Sequence, residues 1–189
     1  MIADFFVEKE IIKSDEYEIY VYGAEALFSG LSNLLILIIC GILMDELLIA
    51  LLFFLVFNIM RKYCGGYHAA THLKCNLIFA LNTLTILLLI KNYFFISEWL
   101  IVTAIIVSDI IIFWLAPIEN VNKPLEKYEK KKYRKIAIIF SGIFTIIAVL
   151  LIPFNKIVSI MISLTLLSVS VAMLCTKLTK EGGLIENEH

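Results

Sequence analysis

Cys64, His68, His72 and Cys75 lie within RKYCGGYHAATHLKC, residues 61–75, which holds two of the four cysteines and two of the three histidines. A thiol beside an imidazole can act as an activated nucleophile, because the base takes the thiol proton when the two are about 3 Å apart. The same four side chains are acceptable zinc ligands. Along a straight helix they would span roughly 16 Å, too far for one tetrahedral ion with ligands at about 2.0–2.3 Å. His68 precedes Cys75 by seven residues, about 20° away around a helix but about 10 Å along its axis, so their pairing needs a bend. Gly65-Gly66 supplies one: each glycine disfavours helix by about 1 kcal/mol relative to alanine, and a break is expected just before His68. His72, three residues before Cys75, reaches it on a regular helix and is the rival base. Interfacial histidines beside inert thiols are the bland alternative that composition leaves open.

The elements that position this segment are membrane spans. The chain is 61% hydrophobic with a mean hydropathy of +0.93, against roughly 45–50% apolar residues in soluble proteins. Apolar runs at 23–43, 47–60, 76–90, 97–116, 136–153 and 157–174 predict an all-α integral membrane protein with six transmembrane helices. Lipid offers no partner to free backbone groups, so each span must be helical. Residues 1–22 hold six acids and a helical spacing of apolar side chains, which predicts a short amphipathic helix on the membrane surface. The expected organisation is a single domain, 1–189: the interfacial helix 1–22, a membrane core 23–174 and a cytoplasmic tail 175–189. The runs 47–60 and 76–90 are short for a hydrocarbon core of about 30 Å. Either their helices continue into 61–75, or that segment is re-entrant; both options bring His68 and Cys75 to the interface.

Charge sets the orientation. All of the 16 basic residues except Lys91 and Lys156 fall in 1–22, 61–75, 117–135 and 175–189. Six spans put those four segments on one side, and the positive-inside rule makes that side cytoplasmic, with both termini inside. Trp99 and Trp114, near opposite ends of the fourth span, are expected interfacial anchors. Cys40 and Cys175 lie in apolar runs and are expected to be small core residues. Glu25 and Asp109 lie in or at the edge of spans, where a carboxylate is costly and often functional. One of them could orient His68; the plainer reading pairs them with polar neighbours such as Asn33, Asn58 or Ser108. The basic run 126–135 is either ordinary cytoplasmic charge in contact with anionic lipid or a dock for an acidic peptide segment. No cofactor, metal or nucleic-acid partner is expected.

Arg61, Gly66, and His68 followed seven residues later by Cys75, with the later segment Ala116-Pro117 to Lys123-Pro124 and its basic continuation, resemble the AgrB (accessory gene regulator B) family of bacterial membrane peptidases. The resemblance covers nearly the whole chain in length, span pattern and motif order. One departure is that some relatives carry consecutive lysines before the second proline, where this chain has only Lys123 and moves its cluster to 130–132. The resemblance implies that Cys75 is the nucleophile and His68 its base, with Arg61, Gly66 and Lys123 in supporting or substrate-binding roles. It implies an AgrD-like autoinducing-peptide precursor as substrate, matured to a thiolactone for quorum sensing, and a homodimer in the bacterial cell membrane. An imidazolium together with Arg61 and Lys62 would raise the thiolate fraction of a thiol whose ordinary pKa is about 8.5. Backbone amides near Cys75 are candidate oxyanion donors. The rivals are a small non-enzymatic transport or scaffold protein and a zinc-dependent membrane hydrolase.

Overall fold

The computed structural model describes residues 17–65, 72–118 and 126–186. They form six helices: α1 (Tyr17–Leu43), α2 (Leu47–Cys64), α3 (His72–Lys91), α4 (Glu98–Leu115), α5 (Lys127–Leu151) and α6 (Lys156–Glu186), with a 3₁₀ turn at Tyr93–Phe95. Five of them, α2 to α6, are long and apolar enough to cross a membrane, and a shorter apolar stretch, Leu27–Leu43, completes α1. The all-helical membrane architecture expected from sequence is what the chain adopts.

The element boundaries add detail. α2 runs to Cys64 and α3 begins at His72, so the two short apolar runs are lengthened by residues of the 61–75 segment. At about 1.5 Å per residue, the 18 residues of α2 rise about 27 Å, close to the hydrocarbon thickness. Residues 17–22, expected to close the surface helix, run directly into the first apolar helix; residues 1–16 lie outside the described residues. The expected tail is helical as far as Glu186, continuous with α6.

Local chemistry explains the turns between helices. At the end of α1, Glu46 N–H donates to the Gly41 carbonyl (2.8 Å) and Asp45 N–H to that of Ile42 (3.1 Å). This is a Schellman closure with Asp45 at φ 56°, a left-handed position that a short polar side chain tolerates. Ser97 caps α4, accepting from Leu100 N–H at 3.4 Å, and Glu126 with Glu129 forms a capping box at the start of α5.

α6 is the central helix. Within its apolar stretch 56% of the residues are buried, against 22% to 28% for the other four spans, and α2, α3, α4 and α5 all pack against it. Ile160, Leu166, Val169 and Met173 carry the apolar core, with Ser159, Ser163, Thr165 and Ser170 buried among them. Small and hydroxyl-bearing residues suit a central membrane helix, since close backbone approach takes the place of a hydrophobic driving force. Outward faces carry Leu31, Leu35, Leu55, Leu81, Ile110 and Ile146, as a lipid solvent requires. Cys40 is buried as expected, but Cys175 is exposed. Met173 and Thr176 take the inward face of that turn, which leaves Cys175 pointing out.

Candidate functional site

Cys75 sits in the first turn of α3, half-buried. Arg61, half-buried in the last turn of the neighbouring α2, is within electrostatic reach of Cys75. One residue on, the Asn76 side-chain oxygen accepts a hydrogen bond from Ser29 Oγ at 3.3 Å, tying α1 to α3 beside the thiol.

The end of α2 is held from two sides. Tyr63 lies between two aromatic rings of α5, edge-on to Tyr133 at 5.6 Å and stacked on Phe140 at 5.8 Å. Beyond it, Ile118 N–H donates to the Cys64 carbonyl at 2.9 Å, and Gly65 and Ile118 pair as a short parallel bridge. The two sequence segments singled out for their motifs, 61–75 and 116–124, thus meet through their main chains. Arg134, from the basic run, donates to the Phe113 carbonyl at 3.2 Å and lies over the Phe113 ring, satisfying one of the free carbonyls at the end of α4.

Other expectations fall out unevenly. The break after Cys64 is present, since α2 stops there and Gly65 adopts φ 75°. His68, Gly66 and Lys123 lie outside the described residues. His72 opens α3, and Glu25 lies on α1, but their side chains are outside the description. Cys64 is fully buried in the core, and among the described residues no three His, Cys, Asp or Glu side chains gather as a metal cluster. Asp109 accepts hydrogen bonds from Ser141 Oγ and from Thr145 Oγ1 (2.8 Å), both on α5. Two of the neighbours expected from sequence are occupied elsewhere, Ser108 on the Ala104 carbonyl and Asn58 on that of Phe54, and the buried Asn33 side-chain oxygen has no hydrogen-bond partner among the described residues. An open groove of ≈ 340 Å³ between α4 and α5 is lined by Asp109, Phe113, Trp114, Ser141 and Gly142; Cys75 is not part of it. Trp99 and Trp114 are exposed at opposite ends of α4, as interfacial anchors should be.

The profile of the Accessory gene regulator B family matches residues 1–175. The chain belongs to the AgrB family. Similar relatives are an AgrB-like protein of Clostridium perfringens (strain SM101 / Type A), 30% identical over 185 residues covering 91% of this chain and 85% of that one, and AgrB-like protein 2 of Clostridium perfringens (strain 13 / Type A), 32% identical over 128 residues covering 65% and 60%. An AgrB-like protein of Clostridium beijerinckii is 29% identical over 156 residues, 82% and 77%. No solved structure matches the chain significantly. Family membership points to a multi-pass bacterial membrane protein with the AgrB role in quorum-sensing peptide maturation.

Tyr63 and the Ser29–Asn76 pair are contacts around this region that sequence reasoning did not single out. Ile118 and Arg134 fall in segments it did mark, 116–124 and 126–135, but nothing in the sequence named their main-chain partners.

Proposed function

We propose that this chain is a membrane cysteine endopeptidase that cuts an AgrD-like precursor on the C-terminal side of its signal segment and closes the product to a thiolactone. The observation that carries the reading is the half-buried Cys75 thiol at the opening of α3, with the Arg61 guanidinium of a second helix in electrostatic reach. His68 takes the Cys75 proton as sulfur attacks the scissile carbonyl; the C–N bond breaks, and the departing amine takes that proton. The precursor is left as a thioester on Cys75. The thiol of an internal precursor cysteine then attacks the thioester, its proton passing to His68, and Cys75 leaves as thiolate. A water-poor interface favours that tethered thiol over hydrolysis. Arg61, Gly66 and Lys123 support or bind the substrate, and the basic stretch after α4 attracts an acidic segment of it.

The reading includes a homodimer, a single domain, and an orientation with both termini and the 61–75 and 117–135 segments cytoplasmic. The test is co-expression with an AgrD-like precursor. Cys75→Ala and Cys75→Ser should abolish cleavage while the protein still inserts in membranes, and Cys40→Ala and Cys175→Ala should cleave nearly normally. Robust cleavage by Cys75→Ala ends the cysteine-protease reading.

A further inference from the structure

The last turn of a helix is where fraying begins, because its carbonyls have no N–H four residues further on. In α2 that turn carries Arg61, and something must hold it if Arg61 is to face a thiol on another helix. The hold comes from the segment after α4. Ile118 N–H satisfies the Cys64 carbonyl at 2.9 Å, and Gly65 N–H closes back on the Arg61 carbonyl at 3.1 Å. Ala116 and Pro117, leading into Ile118, are buried.

The approach is possible only because residue 65 is glycine. Its φ of 75° with ψ of −153° lies in a region essentially closed to residues with a Cβ. A Cβ there would also overlap the Ile118 carbonyl oxygen, with the Ile118 carbonyl carbon at 3.1 Å and its nitrogen at 3.3 Å. Conformation and space therefore demand glycine independently. Tyr63, set between Tyr133 and Phe140, is the second anchor of the same turn.

We propose that Ile118 is a positioning residue: through its main chain it clamps Gly65 and the Cys64 carbonyl, holding the last turn of α2 so that Arg61 stays within electrostatic reach of Cys75. The clamp rests on the reading of Cys75 as nucleophile. Ile118 need not touch substrate, and its side chain is not what acts.

Three measurements on the full-length protein in liposomes test this, with an AgrD-like precursor as substrate. The first needs no variant: the Ile118 amide of the wild-type protein should exchange slowly with solvent deuterium, and a freely exchanging amide overturns the clamp. The second compares Gly65→Ala and Ile118→Pro, which break it, with Ile118→Ala and Ile118→Val, which keep the main-chain bond. The breaking pair should lose about 10²-fold in kcat with KM changed less than about threefold, as expected when a group is displaced by about 1 Å, and the keeping pair should retain near-normal kcat. A residue that is merely structural would lower thermal stability in every variant and leave kcat of the inserted fraction intact. The clamp is also overturned if Ile118→Ala loses as much kcat as Ile118→Pro. If Gly65→Ala does not insert, the Ile118 pair and the amide exchange decide. The third is Cys75→Ala in the same assay. Cleavage by that variant sinks the nucleophile reading itself, whereas a dead Cys75→Ala beside a fully active Gly65→Ala sinks the clamp alone.

Discussion

The two ends of the helical bundle are built by different means. At the end holding the α1–α2 and α3–α4 turns and the α5–α6 turn, closure is local. Glu46 bonds Gly41, Asn92 bonds Leu88 and Leu89, and Val158 N–H donates to the Asn155 side chain at 3.2 Å, each pair only a few residues apart. At the opposite end the ties join residues far apart in the chain: Cys64 with Ile118, Ser29 with Asn76, Tyr63 with Tyr133, Arg134 with Phe113. Both ends use a glycine for close approach. At Gly41 an added Cβ would meet the Leu47 Cα at 3.0 Å and the Ala50 Cβ at 3.1 Å; at Gly65 it would meet the main chain of another segment. Reversing the chain needs only local residues. Holding the last turn of α2, which carries Arg61, needs partners brought in from elsewhere in the chain.

The strongest way to sharpen this contrast is to separate the two candidate bases. The break at Gly65 and the family pattern favour His68, while the shared helix start favours His72. His68→Ala should cut single-turnover cleavage by about 10²–10⁴-fold, the usual cost of losing a general base, with weak recovery from about pH 6 to about pH 9 as more thiolate forms unaided. His72→Ala should cost little. The reverse ranking would assign the base to α3 itself and leave the break without a catalytic purpose.

Orientation can be broken by labelling. In a cysteine-depleted variant, Asp45→Cys should react with an impermeant thiol reagent on intact cells, and Asn122→Cys and Glu186→Cys should be shielded. Labelling of Asn122→Cys from outside would put the assembled end on the wrong face.

The smallest expected effect concerns Gly41. Gly41→Ala gains helix propensity but crowds the Leu47 backbone, so a net loss of about 1 kcal/mol in stability is expected from overpacking offset by propensity. Its kcat should be unchanged. A kinetic defect in Gly41→Ala comparable to that of Gly65→Ala would erase the distinction between the two ends.

Much of this molecule was legible in the order of its residues. Lipid leaves a spanning segment no choice but helix, so apolar runs translate directly into spans, and a paired glycine inside a polar segment marks where a helix must stop. The thiol, the arginine and the histidines were visible as types in one short segment. Cys40 and Cys175, by contrast, are indistinguishable as cysteines in apolar runs, yet one is buried and the other exposed. Which face of a helix turns inward depends on what packs against it. The same holds for Asp109, whose partners Ser141 and Thr145 stand on another helix more than 30 residues away, and for Ile118, whose role lies in its main-chain N–H. Every residue except proline carries that group, so no side-chain pattern announces it, and only the approach of two chain segments in space decides what it holds.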